Sequence, residues 1–214
     1  MKNILLLNYG ITYRIKSKGP ACLLKVSPRK TLLEKQVFLL NKVFPSSTIF
    51  IVSGLKQKKI KSLSNYSNVK IIENEKQEET NCLYSVFLAL NKFKIKDSLF
   101  VIPGNTYFKE NLFNTFNSKQ SQLWLTHQYQ ELGCTLSNNK IQNVMWTLPN
   151  YWSNICYFYK KEFDLLNEIL TDKELVEKLF LFEAINSIID RGGNFDAVLK
   201  KNKIKFINKI SDLQ

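Results

Sequence analysis

Over roughly its first hundred residues the chain alternates short continuous apolar runs with longer stretches whose apolar residues recur every three or four positions. The runs read as strands buried on both faces, and the three-to-four spacing as helices burying one stripe. Residues 3–8 form a first strand, followed by a loop holding Gly10, Gly19 and Pro20. In 31–44 the apolar positions Leu33, Val37, Leu40 and Phe44 have helical spacing. Residues 48–53 read as a second buried strand ended by Gly54, and a helix with Lys56, Lys58, Lys59 and Lys61 on a solvated face comes next. Residues 69–72 make a third strand. Thr80 or Asn81 then caps a helix whose apolar side is Leu83, Val86, Phe87 and Leu90. Residues 98–102 make a fourth strand, ending in a Pro103-Gly104 turn at the carboxyl edge of the sheet, where open α/β folds bind ligands.

The second half is less regular. Residues 122–126, 141–146 and 155–159 are strand-like, with Asn138-Asn139 as a turn. Residues 174–189 read as one helix with Leu175, Leu179, Phe182, Ile185 and Ile189 on one face, closed by Arg191, Gly192 and Gly193, and 204–207 return a short strand. The expected fold class is α/β. It is a single Rossmann-like three-layer domain over 1–214, with a mainly parallel central sheet and a small antiparallel extension in the second half.

Composition narrows the function classes. At 214 residues and 44% apolar content the chain can bury a sizeable core. Its apolar runs, such as residues 4–7 and 99–102, are far short of the roughly 18 residues that cross a bilayer. The segment before Asn8 is too short for a secretory signal, so the expectation is a cytoplasmic protein with no membrane partner. Cys22, Cys82, Cys134 and Cys156 lie too far apart for a zinc knuckle or a dithiol motif and read as reduced, mostly buried thiols. The single histidine, His127, excludes most multi-histidine metal sites and reads as a core or edge residue.

A formal net charge of +13 suggests attraction to anions, nucleic acid among them. Arg14, Arg29 and Arg191 are the only arginines, so the bidentate forks that read phosphates and guanine edges are nearly absent, which counts against a nucleic-acid partner. Anionic small molecules fit the charge better.

Three segments carry a more specific signal. The first runs Ile4-Leu5-Leu6-Leu7-Asn8-Tyr9-Gly10-Ile11-Thr12-Tyr13-Arg14-Ile15 and continues through Gly19-Pro20-Ala21-Cys22-Leu23-Leu24. The second is Glu79-Thr80-Asn81-Cys82-Leu83-Tyr84-Ser85, and the third Leu99-Phe100-Val101-Ile102-Pro103-Gly104-Asn105-Thr106. In this order they resemble the nucleotidyltransferase superfamily that activates sugar phosphates, especially its phosphocholine cytidylyltransferase-like branch. The matched features are a strand with a glycine-rich loop and terminal arginine, a Thr-Asn helix start, and a strand ending in Gly-Asp. The resemblance covers roughly the first 115 residues well and the rest by architecture.

The resemblance implies transfer of a nucleotidyl group, CTP favoured, to a phosphorylated small molecule with release of pyrophosphate. Its partners would be a nucleoside triphosphate or nucleotide conjugate and the phosphorylated acceptor, and its cofactor Mg2+. Such a site must neutralise crowded phosphate charge with cations and backbone amides. It implies Arg14 and Asn105 as catalytic positions, and Tyr9, Gly10, Asn81, Ser85, Gly104 and Trp152 as substrate-binding ones. The family's two metal aspartates fall on Asn105 and Asn208, with Asp212 four residues further on, and its signature lysine falls on Ala21. Tyr9, Ile11 and Thr12 replace small residues of the loop. An asparagine after Pro-Gly is also what a turn demands. Taken with Ala21 and Asn208, however, Asn105 predicts a weakened or abolished metal site.

Four further readings stay open. Glu73, Glu75, Glu78 and Glu79 are a solvated cluster or face a cationic, choline-like substrate, and Tyr151 with Trp152 is core packing or part of an aromatic cage. The fold serves equally a binding or regulatory protein that has lost catalysis, and a related glycosyltransferase shares it.

Overall fold

The computed structural model describes residues 3–8, 19–54, 60, 63 and 66–213. Strand β1 (Asn3–Asn8) precedes a small hairpin of β2 (Lys25–Ser27) and β3 (Lys30–Thr31), which leads into helix α1 (Leu32–Val43). β4 (Thr48–Ser53), β5 (Val69–Glu73), α2 (Cys82–Phe93), β6 (Ser98–Pro103) and β7 (Thr106–Phe108) follow. The second half supplies β8 (Gln122–Leu125), β9 (Leu132–Ser137), β10 (Lys140–Trp146) and β11 (Trp152–Tyr159). Helices α3 (Lys161–Ile169), α4 (Lys173–Lys178) and α5 (Leu181–Asp190) come next, then β12 (Asp196–Leu199) and β13 (Ile204–Phe206).

Among the described residues nine strands form one sheet in the order β5-β4-β1-β6-β11-β8-β12-β10-β9. β5, β4, β1 and β6 run parallel, so Asn8, Ser53, Glu73 and Pro103 all end at one edge. β11 is antiparallel to β6, with Cys156 opposite Val101, and its first residue Trp152 therefore starts at that same edge. β7 and β13 pair antiparallel as a separate ribbon with Thr106 opposite Phe206.

Side chains alternate across each strand, which splits the core in two. Ile4 and Leu6 of β1 pack in one cluster with Leu33, Val37 and Leu40 of α1, whereas Leu5 and Leu7 join Leu83, Val86 and Leu90 of α2 and Phe163, Leu166 and Ile185 from the later helices. The result is the expected three layers. Thr31 and Glu34 close α1 with a reciprocal capping box.

The expected 174–189 helix is two. Leu179 and Phe180 take extended backbone, and the Phe180 N–H donates to Glu183 Oε2 at 2.7 Å, starting α5 afresh. Phe182 and Ile185 are buried as the stripe requires, but Leu175 is exposed, and Val176 and Leu181 are buried instead, an outcome a continuous helical stripe does not encode. The expected end at Gly192 and Gly193 is present, Gly192 having a φ of 79° and the Gly193 N–H donating to Ile188 O at 2.8 Å. Asn138 and Asn139 both have positive φ and turn β9 into β10.

Lys56, Lys58, Lys59 and Lys61 lie outside the described residues. His127 is exposed just past β8, not in the core. All four cysteines are free, Cys82 half-buried and the others buried; burial pushes the Cys22 and Cys134 thiols up to about 12. Among the described residues no helix is long and apolar enough to cross a membrane.

Candidate functional site

The carboxyl edge of β1 and β6 is assembled from residues far apart in sequence. Gly104 N–H donates to Leu7 O at 2.8 Å, joining the turn after β6 to the end of β1. A Cβ on Gly104 would lie 1.9 Å from Asn8 Oδ1 and 3.1 Å from Leu7 O, so glycine is required here to leave room for the Asn8 amide. Gln36, buried on α1, donates to Pro103 O at 3.2 Å and Thr106 O at 2.7 Å and so fixes both ends of the turn. The β7–β13 ribbon then delivers the chain's last segment: Ile207 N–H donates to Asn105 O at 2.8 Å, and Asn105 Nδ2 donates to Asn208 Oδ1 at 2.9 Å.

The two positions matched to metal aspartates thus meet, as the resemblance requires, but they meet as neutral amides. Asp212 does not replace them. Its Oδ2 accepts the N–H groups of Asn208 and Lys209 at 2.8 and 2.9 Å, which ties down the final turn. A magnesium ion does not fit this donor set. Hard divalent cations select charged oxygens, whereas here one amide oxygen is already used by the neighbouring amide and neither group carries charge. Among the described residues no cluster of three metal-ligating side chains occurs.

Asn8 is the unexpected member. It is 4% exposed, and neither Oδ1 nor Nδ2 has a hydrogen-bond partner among the described residues. Leaving such groups unpaired costs about 1–3 kcal/mol.

On the α2 side of the same edge lies a cavity of about 270 Å³. Leu7, Leu132, Trp152, Phe180, Leu181 and Phe182 give it an apolar wall, opposite the amides and hydroxyls of Asn74, Gln77, Thr80, Asn81, Ser85 and Asn154. None of these carries charge. Ser85 is buried and accepts from Asn74 Nδ2 at 3.1 Å. Asn81 occupies the N-cap position of α2, but its side chain makes no cap; it donates instead to Lys178 O, tying α2 to α4. Gln77 folds over Gly54 and presents a buried Oε1 with no partner. Asn154 has a φ of 55° at a register break in the β11–β8 pairing, an αL bulge that asparagine tolerates better than most residues.

The structure brings together Asn81, Ser85 and Trp152 in the cavity, and Gly104, Asn105 and Asn208 beside it. Tyr9, Gly10 and Arg14 lie outside the described residues, as do Ile11 and Thr12. Ala21 is buried at the start of a short 3-10 turn, and Lys25 is exposed on β2. The aromatic cage of Tyr151 and Trp152 does not form. Successive residues face opposite ways, so Trp152 is buried with its Nε1 donating to Ile155 O, while Tyr151 packs edge-on against Tyr129 at 5.3 Å. Phe180 and Phe182, stacked 5.8 Å apart, are rings of the cavity wall, with the half-exposed Trp146 packed edge-on against them. Glu73, Glu75, Glu78 and Glu79 are all exposed, and none lines the cavity.

Asn8, Gln36, Gln77, Asn154, Phe180 and Phe182 escaped the sequence reading as site residues. Only Asn8 left a signal there, as a polar residue ending an otherwise apolar strand.

The architecture and the edge geometry define a nucleotidyltransferase-like fold. No protein-family model matches the chain, and no curated protein resembles it in sequence. Solved structures do resemble it. The inositol-1-phosphate CTP transferase of T. maritima is 16% identical, covers 100% of this chain and 92% of its own, and has a TM-score of 0.75. The CTP:phosphocholine cytidylyltransferase of Streptococcus pneumoniae is 19% identical over 98% and 95%, also at 0.75. A nucleoside-diphosphate-sugar pyrophosphorylase of Vibrio cholerae is 14% identical over 97% of each chain at 0.74.

Proposed function

We propose that this chain binds a nucleoside triphosphate, CTP before the others, or a nucleotide conjugate, together with a phosphorylated small molecule, at the carboxyl edge of its sheet. Nucleotidyl transfer with pyrophosphate release is the chemistry the fold suggests, weak or lost in this chain. The observation that carries this reading is the Asn105–Asn208 hydrogen bond beside an uncharged cavity. The uncharged cavity and the turn at Gly104 support a substrate held across the sheet edge, while neither Asn105 nor Asn208 carries the negative charge that would hold a metal there. The neutral cavity suits a ring with hydrogen-bonding groups, while Gly104 and the Asn105–Asn208 pair border the phosphate side. Arg14, Gly10 and Tyr9 belong to the same reading as the phosphate-facing loop, and the cytoplasm as its compartment.

A second reading, a binding or regulatory protein without turnover, is favoured by the same amide pair taken with buried Ala21 in the place of the family's lysine. Calorimetric titration with CTP, UTP, GTP, ATP and their sugar or choline conjugates tests both. Binding of one triphosphate with measurable pyrophosphate release supports the enzyme, and binding without release supports the regulatory protein. Silence across the panel rejects the enzyme and points to a protein whose function lies in another ligand or a protein partner.

A further inference from the structure

Asn105 and Asn208 bring two carboxamides together at the sheet edge, and a third, that of Asn8, lies against the Gly104 turn. The pair shares one hydrogen bond, and Asn8 is buried with both polar atoms unpaired among the described residues. Whichever way the two amide groups are oriented, one N–H···O bond between them consumes one oxygen. Among the described residues the pair is left with a free NH2, one further N–H and one free oxygen. Two carboxylates at this separation would repel unless a cation or a proton stood between them. Two amides need neither. The third amide, Asn8, lies against the Cα of Gly104, one residue from Asn105, and only the missing side chain of Gly104 admits it. A buried amide with an open donor and an open acceptor costs stability until something fills them. An alanine at this position would remove both groups and the cost.

We infer that this edge recognises the phosphoryl oxygens of its ligand directly through amide N–H donors, Asn8 Nδ2 and the free NH2 of the Asn105–Asn208 pair, with no divalent cation between protein and phosphate. The inference rests on the nucleotide-binding reading above and specifies how that site holds its anion. Direct amide donation suits a phosphate group because each oxygen accepts two or more hydrogen bonds, as at backbone nests and helix termini. The chain's net charge of +13 supplies the long-range attraction that a bound cation would otherwise provide.

The test uses the whole protein in metal-stripped buffer, titrated calorimetrically with CTP, CDP and inorganic pyrophosphate, first with EDTA and then with millimolar magnesium. The expected result is a Kd in EDTA within about threefold of that in magnesium. Asn8→Leu, which keeps the branched four-heavy-atom shape and removes both unpaired groups, should weaken binding of these probes about tenfold, while its thermal midpoint stays level or rises. That opposite movement of affinity and stability separates a ligand-binding amide from a structural one. Binding that weakens about tenfold or more in EDTA overturns the cation-free inference and leaves the nucleotide-binding reading standing. Unchanged affinity in a folded Asn8→Leu overturns the role of Asn8. No binding of any probe in either buffer overturns the nucleotide-binding reading itself.

Discussion

The side-chain amide of Asn105 donates to that of Asn208 across 103 positions of sequence, at 2.9 Å. The β7–β13 ribbon and the Ile207–Asn105 backbone bond make this meeting obligatory, because they hold both residues against the same turn. The pair is therefore held together by the fold and is a direct way to ask whether charge at these positions would bind a metal.

Placing charge at both positions should create a metal response. In Asn105→Asp/Asn208→Asp the two carboxylates repel, so the thermal midpoint should fall below that of the wild type in EDTA and climb back with millimolar magnesium. The wild-type midpoint should not move with magnesium. Melting both proteins in the two buffers decides it, and equal magnesium shifts would mean these positions do not form a metal site.

Gly104→Ala places a methyl on the Asn8 side chain and close to the Leu7 carbonyl. The fold should lose about 1–3 kcal/mol as the turn after β6 shifts, and affinity for any phosphate-bearing ligand should drop with it. Denaturant unfolding combined with titration checks this; full stability would show that the edge is looser than the contact distances indicate.

Gln77→Leu removes a buried, unpartnered oxygen from the cavity wall. Stability should hold or improve while affinity for a nucleotide conjugate falls about tenfold, the size of one lost hydrogen bond. Retained affinity in the folded variant would place the ligand elsewhere.

Asn186 fastens α5 to the sheet: its Oδ1 accepts from Val144 N–H at 2.9 Å and its Nδ2 donates to Val144 O at 2.8 Å. Val144 is fully buried, so Asn186→Ala leaves two backbone groups without partners and should cost about 2–3 kcal/mol. A loss within experimental error of zero would mean water replaces both bonds.

Lys200 is 1% exposed, donates to Leu112 O at 2.9 Å and Thr115 Oγ1 at 2.7 Å, and sits 4.0 Å from the centre of the Trp124 ring. Burial, with some repulsion from Lys203, pushes its pKa down to about 8. An unfolded lysine titrates near 10.4, so between about pH 8 and 10.4 the unfolded chain binds more protons and this group's contribution to stability rises with pH. Below pH 8 the cost of the buried charge is fully present. The midpoint of Lys200→Met relative to the wild type should therefore be highest near pH 7.5 and fall towards pH 10. A pH-independent difference would show that Lys200 titrates as an ordinary lysine.

Much of the first half of this fold was legible from spacing alone. Strand 48–53 and the helix around Leu83, Val86 and Leu90 stand where their patterns put them, because strands buried on both faces and one-stripe helices leave strong local signatures. β9 and β12 did not stand out. β9 is an edge strand with Thr135, Leu136 and Ser137 exposed, and β12 is four residues opening on Asp196, so neither has enough buried periodicity to register. The α4–α5 break was hidden for the opposite reason: the stripe of Leu175, Leu179, Phe182 and Ile185 continues through it.

The sequence by itself determined the α/β order of elements, the carboxyl-edge placement of Gly104 and Asn105, and the absence of charge at positions 21, 105 and 208. Only the tertiary structure decided that Asn105 and Asn208 bond to each other, that Asn8 lies buried under Gly104, and that Trp152 and Tyr151 face apart. Those outcomes depend on which strand lies beside which and on the space one missing Cβ leaves open. Such contacts join residues a hundred positions apart, and no local pattern of apolar and polar residues records them.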